Sequence, residues 1–192
     1  MGIVIPEGLQ RALEAGRVER TDAGAGPITV RRLADLVLPT GRVLVGYPGS
    51  PRVNEPSPVR PSVAPGRYQV FASLVDLPRG CRELAFVVVR FDEGPPVSWE
   101  EAGAFFTDSG LGCLMDESCV PLLERRREAG ADLWGLLHEV RDGVFGDGDC
   151  NLVLEEASGA NAIVFATHDS RYPCFLGTGQ GARPVWLVVD CR

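Results

Sequence analysis

Two short runs carry side chains able to do chemistry: DSGLGCLMD at 108–116 and HDSRYP at 168–173. Each sets carboxylates beside glycine or turn-forming residues within otherwise apolar sequence, a combination that a core strand does not need. Asp108, Asp116 and Asp169 could converge. Two or three carboxylates around a tight turn can hold a hard divalent cation, or act as an acid and a base with separated proton affinities. Gly110 and Gly112 would let the backbone approach a ligand, with Ser109 beside them. His168 and Tyr172 flank Asp169. Imidazole is the side chain whose proton equilibrium lies nearest neutrality, which makes His168 the general-base candidate. The catalytic expectation is therefore Asp108, Asp169, His168 and Tyr172, with Asp116, Ser109, Gly110 and Gly112 binding ligand.

Each of these residues also has a plainer reading. Asp116 stands at the natural N-cap of a helix over 117–128, and Asp108 could close an Asx-turn over Ser109 and Gly110. In a strand, His168 and Tyr172 would share a face and Asp169 would point away, whereas a turn would gather all three. His138 lies among Leu136, Leu137 and Val140, where packing is the stronger reading. Cys113 has no evident base nearby, so it too reads as packing. Ser109 is not in a G-x-S-x-G elbow, which disfavours a serine hydrolase. Asp147, Asp149 and Asn151 alternate like a calcium loop, but Leu152 and Ser158 occupy the positions that need Gly and Glu. They read as an acidic turn.

Bulk composition narrows the classes. With 192 residues, 45% of them hydrophobic, the chain suits one domain with a sizeable core. Residues 1–27 are expected to be a peripheral segment and 50–66, with five prolines, a surface loop. No apolar run approaches the roughly 20 residues of a membrane span, and the first residues lack the pattern of a secretion signal. The six cysteines form no C-x-x-C pair, and with two histidines that lack ligand spacing they do not suggest zinc. A cytoplasmic protein is expected. Lysine is absent, which excludes Schiff-base chemistry, pyridoxal phosphate attachment and a phosphate-loop lysine. The arginine-only usage fits a bacterial, high-GC, actinobacterial-like genome. Net charge is −7, divided between a basic first half and an acidic second half. Such a chain is a poor nucleic-acid binder, while its acidic half could attract a basic protein or a cation.

The elements that would position these residues are mostly strands. RYQVFASLVD at 67–76 and RELAFVVVRF at 82–91 read as an antiparallel pair, and NAIVFAT, CFLG and PVWLVVD near the end of the chain as three more strands. A strand is also expected over 42–47. Helices are expected over 6–17, over 99–105 behind the capping-box pattern Ser98-Trp99-Glu100-Glu101, and over 117–128 and 131–142. The segment 21–27 reads as a loop, and 28–39 is open between strand and helix. The class is α+β: an antiparallel, sandwich-like sheet system with two or three helices from the middle of the chain.

The order LPTGRV (38–43), VAPGRYQV (63–70), PPVSWEEA (95–102), TDSGLGCLMD (107–116), NAIVF (161–165), DSRYP and a terminal VVD resembles the bacterial family called domain of unknown function 4241. The similarity covers about 38–190 and implies a shared fold more than an activity. Two departures stand out. Tyr47-Pro48 replaces the Asp-Pro usual in the family, and His168-Asp169-Ser170 replaces a Gly-Asp-Gly. They leave open that this copy has altered or lost a common chemistry.

Two functional classes follow. One is a small-molecule enzyme using a carboxylate-lined pocket, with no cofactor beyond a divalent cation, in specialised metabolism for instance. The other is a non-catalytic binding module, a toxin neutraliser or regulator, that presents an acidic face to a basic partner. A poised site stores like-charge repulsion. Asp108→Asn and Asp169→Asn are therefore expected to leave urea stability unchanged or to raise it by roughly 0.5–2 kcal/mol. A loss of about 2 kcal/mol or more at both positions would instead mark them as anchors of turns and buried hydrogen bonds.

Overall fold

The computed structural model describes residues 6–48, 62–107, 109–145 and 150–192. Strands dominate: β1 (Val18–Thr21), β2 (Gly24–Arg32), β3 (Leu36–Leu38), β4 (Val43–Gly46), β5 (Gly66–Asp76), β6 (Arg82–Arg90), β7 (Ser98–Thr107) and β8 (Leu111–Asp116) come first. Two helices follow, α1 (Cys119–Glu128) and α2 (Leu133–Arg141), then β9 (Asn151–Glu155), β10 (Ala160–Ala166), β11 (Ser170–Thr178) and β12 (Pro184–Asp190). The fold is thus mostly antiparallel β with two α-helices.

The larger sheet runs β1-β2-β5-β6-β12-β11-β7, with β3 also joined to β5. The smaller runs β4-β8-β10-β9. The two sheets share a core in which Val70, Ala72, Val87, Val89 and Leu187 of the first meet Val43, Val45, Leu114, Ile163 and Phe165 of the second. Strand alternation sends Phe86, Val88 and Val188 to the opposite face of the large sheet, where they pack with Leu9 and Ala12. On the outer face of the small sheet, Leu44, Cys113, Met115, Ala162 and Val164 pack beneath Val120 and Leu123 of α1 and Leu137 of α2. Burial on both faces explains why β6, β10 and β12 are continuous apolar runs rather than alternating ones.

Several expectations are corrected. Residues 98–107 form β7, not a helix: the strand pairs with β11 from Ser98↔Thr178 to Thr107↔Ser170. A bulge that leaves Ala102 without a partner, next to Gly103 with φ +116°, shifts the register between Cys174 and Phe175. A ladder of nine residue pairs, together with the Trp99–Trp186 edge contact at 6.4 Å, outweighs a local capping signal. The expected helix over 6–17 is only a single turn at Leu9–Arg11, bounded by Gly8 and Gly16 in left-handed conformations. Within the segment 21–27 only residues 22 and 23 turn, since Thr21 ends β1 and 24–27 already belong to β2, and 28–39 holds the rest of β2 and all of β3. The first residues are not all peripheral, because Leu9 and Ala12 are buried against the sheet. Most of the proline-rich loop, residues 49–61, lies outside the described residues, as do Asp147 and Asp149 and the side chain of His138.

A polar side chain, that of Asn161, crosses between the sheets. Asn161 on β10 is buried. Its Oδ1 accepts from the Val37 amide of β3 at 2.8 Å, and its Nδ2 donates to the Asp35 carbonyl at 2.9 Å and to Asn151 Oδ1 at 2.6 Å. Leucine at this position would have similar volume but no bonding capacity and would strand a buried N–H and carbonyl. Asn161→Leu is expected to lower stability by about 2–4 kcal/mol in urea unfolding, well beyond a volume-conserving change elsewhere in the core.

Candidate functional site

The two chemistry-bearing runs meet at one end of the fold. β8 begins just after the turn at Ser109–Gly110, and β10 leads into the loop 167–169. The Thr167 amide donates to the Gly110 carbonyl at 2.9 Å, joining turn to loop. Gly110 has φ +65°, a conformation that favours glycine, and an added Cβ would lie 3.1 Å from the Thr167 carbonyl oxygen. Thr107 Oγ1 accepts from the Ser109 amide at 3.2 Å and lies 3.0 Å from Ser109 Oγ. Ser109 and Gly110 therefore shape the turn. Asp108 lies outside the described residues.

Gly112 has a packing role. It is buried in β8, and a Cβ there would stand 2.4 Å from Phe165 Cε2 and 2.9 Å from Phe105 Cζ. Its hydrogen makes room for the ring pair of the shared core. Asp116 is separate from the other candidates, five residues along β8 from Leu111, roughly 16 Å at strand rise. It is fully buried and accepts from the Thr40 amide at 3.1 Å, the Thr40 hydroxyl at 2.9 Å and the Ser118 amide at 2.9 Å. It pins the turn before β4 and the entry to α1. The expected convergence of Asp116 with Asp169 does not occur, because a strand holds them apart.

The 168–172 loop is closed by its own tyrosine. Tyr172 is buried, and its hydroxyl accepts from the His168 amide and donates to the His168 carbonyl, both at 2.8 Å. Burial pushes the phenol above its ordinary pKa and keeps it neutral, as a group that both donates and accepts must be. Tyr172 is thus a positioning residue for the His168 backbone. Asp169 is exposed on the same loop. Among the described residues, no three His, Cys, Asp or Glu side chains are grouped so as to hold a metal ion.

What the loop presents is His168. Its Nε2 lies 3.0 Å from Glu83 Oε1 on β6, with the imidazole largely exposed and the carboxylate 12% exposed. Glu83 is itself held: Oε2 accepts from the hydroxyl of Thr21 at the end of β1 and from the amide of Ala23 in the turn after it, the latter at 3.3 Å. A base whose carboxylate partner is oriented by a third element is the usual architecture of a general acid–base pair. His168, Glu83 and Tyr172 line a cavity of about 300 Å³, with walls that include Leu77, Leu84 and Phe145. Cys81, exposed, also lines it. Sequence reading missed Glu83 and Cys81. Glu83 sits at the start of an apolar strand and meets His168 only through the fold, 85 positions away. A lone carboxylate ahead of LAFVVV was its one visible signal.

The remaining thiols are packing groups. Burial raises Cys113, Cys174 and Cys191 well above the ordinary thiol value, and Cys119 to about 12. In the unfolded chain they ionise from about pH 8.5. Above that pH the unfolded chain releases protons that the folded one keeps, so the contribution of these thiols is intact below about pH 8.5 and is lost as pH rises. Each thiol should cost about 1.4 kcal/mol per pH unit between its two values. The urea midpoint is expected to decline above about pH 9, and less steeply in Cys119→Ala. A midpoint flat to about pH 10.5 would contradict the burial assigned here.

No protein-family model, curated protein or solved structure matches this chain.

Proposed function

We propose that the protein is a small-molecule enzyme in which the Glu83–His168 pair performs acid–base chemistry on a ligand seated in the 300 Å³ cavity. The observation that carries this reading is the 3.0 Å contact between His168 Nε2 and a carboxylate that Thr21 and Ala23 hold in place at the cavity rim. Glu83 fixes the ring orientation, and the other ring nitrogen is left to exchange a proton with the ligand. Apolar walls favour a ligand with an apolar body and one polar, proton-exchanging end. Asp169, exposed beside His168, is a candidate for contacting that end. Asp116, Gly110, Gly112 and Tyr172 support the site by shaping and anchoring the elements around it.

Three further readings accompany this one. The architecture reads as a sandwich-like α+β domain, supported by the core common to both sheets and by helices on one outer face. A reducing, cytoplasmic setting is supported by six unpaired cysteines, five of them buried. Membership of the domain of unknown function 4241 family rests on the order of the sequence motifs alone.

The test is proton exchange. Small carbonyl compounds with apolar substituents are incubated in D₂O with the wild type, His168→Gln and Glu83→Gln, and deuterium incorporation at the carbon next to the carbonyl is followed by NMR. Wild type is expected to exceed buffer for at least one compound, with a loss of about 10²-fold or more in His168→Gln. Exchange that is absent across the panel, or equal in the wild type and His168→Gln, would overturn the proposal.

A further inference from the structure

The exposed thiol of Cys81 lines the same cavity as the Glu83–His168 pair. The turn before β6 puts it there. Arg79 and Gly80 both take left-handed backbone, with φ +68° and +77°, and the Leu77 amide donates to the Cys81 carbonyl at 2.9 Å, closing the turn. Arg79 is a non-glycine residue in that conformation, a local strain that the fold sustains beside the thiol. Cys81 itself is extended, with φ −74° and ψ 152°, and β6 continues it. Alternate residues of an extended chain share a side, so Cys81 and Glu83 point the same way, about 7 Å apart at strand rise. His168 Nε2 lies 3.0 Å from Glu83 Oε1. A thiol, an imidazole and the carboxylate that orients it therefore line one hollow.

Two hollows meet at Cys81. The first, of about 300 Å³, has the apolar walls Leu77, Leu84 and Phe145. The second, of about 500 Å³, shares Leu77, Cys81, Arg82 and Phe145 with the first and adds Asp76 and Gly80. Arg82 is fixed there by Asp76 at 2.9 Å and by the Phe145 carbonyl at 3.3 Å. A nucleophile that takes up an acyl group needs room for the acyl chain and separate room for the leaving group. The apolar hollow suits the chain of a short apolar acid, and the hollow with Asp76 and Arg82 suits a polar leaving group. The other five cysteines are buried, so Cys81 is the thiol that a soluble electrophile meets.

We propose that Cys81 is a nucleophile with His168 as its base, and that the substrate is an ester or thioester of a short apolar acid. The proposal rests on the acid–base reading of Glu83 and His168 and adds the bond-forming group. Glu83 engages Nε2, so Nδ1 takes the thiol proton as the sulfur attacks the acyl carbon. An S–C bond forms, the bond from that carbon to the leaving oxygen or sulfur breaks, and Nδ1 passes its proton to the leaving group. Water then attacks the thioester carbon and gives a proton to Nδ1. The S–C bond breaks, and that proton returns to the Cys81 sulfur.

The test uses the full chain with p-nitrophenyl acetate. Wild type is expected to release a stoichiometric burst of p-nitrophenol followed by slower turnover, with the acetyl group found on the Cys81 peptide by mass spectrometry. The burst should vanish in Cys81→Ala. The acylation rate should exceed that of N-acetylcysteine by about tenfold or more, and fall by about tenfold or more in His168→Gln. If His168→Gln fails to fold, Glu83→Gln is read in its place, with an expected loss of several-fold. Acetyl on another residue, acylation equal in wild type and these variants, or a rate no greater than that of N-acetylcysteine would overturn the nucleophile. Deuterium exchange of small carbonyl compounds needs no thiol and is followed in Cys81→Ala alongside. Exchange that persists there while acylation ignores His168 sinks the role of the thiol alone. Loss of both exchange and His168-dependent acylation sinks the acid–base reading with it.

Discussion

The structure turns on one buried amide. Two antiparallel sheets that meet through aliphatic and aromatic side chains can slide, because dispersion and apolar burial have little directional preference. Asn161 removes that freedom. By bonding Val37 and Asp35 on the large-sheet side and Asn151 on its own, it sets β10 against β3 at a single offset. A bulge between Ala160 and Asn161 re-aims the strand at this point. β10 then carries the loop with Thr167 and His168 to its place above β6. The distance between His168 and Glu83 therefore depends on a hydrogen-bond set at the opposite end of β10.

The two ends of that strand are treated differently by the fold. Near Asn161 and Asp116 the polar groups are buried and their bonds are made within the chain, so they act as fixed joints. Near His168 the charged atoms open to a cavity while the Tyr172 hydroxyl holds the backbone. Rigid backbone with accessible side-chain nitrogen is what preorganised proton transfer requires. Asp116 stands at the far end of β8 from the β10–β11 loop, and the carboxylate that meets His168 on that loop is Glu83 of β6.

What was readable in the sequence follows the range of the forces involved. β5, β6, β10, β11 and β12 announce themselves because β-branched and aromatic runs end at Gly- and Pro-rich turns, as at Thr178–Ala182. α1 and α2 were legible from their leucine spacing and from breakers such as Gly130. Residues 98–107 were misread because a capping box is a four-residue signal, whereas the ladder to β11 is made with residues about 70 positions later. β9 went unnoticed because Asn151–Glu155 is a short edge strand with only Leu152 and Leu154 facing inward. His168 and Tyr172 were found by type, but the role of Tyr172 depends on which backbone atoms its hydroxyl reaches. Glu83 was invisible for the same reason: a charged residue near the start of a strand looks like ordinary surface until the fold supplies its neighbours.

Strand order carries a consequence for how the chain is made. In the large sheet β6 is flanked by β5, its neighbour in sequence, and by β12, which emerges from the ribosome some ninety residues later. Until then the β5–β6 hairpin presents an open edge of Phe86, Val87, Val88 and Val89, uncharged and strongly β-forming. Such an edge can pair with the same edge of another nascent chain. The edge stays without its native partner for as long as residues 91–190 take to be synthesised, so the strand order makes the β5–β6 hairpin the most association-prone part of the nascent chain.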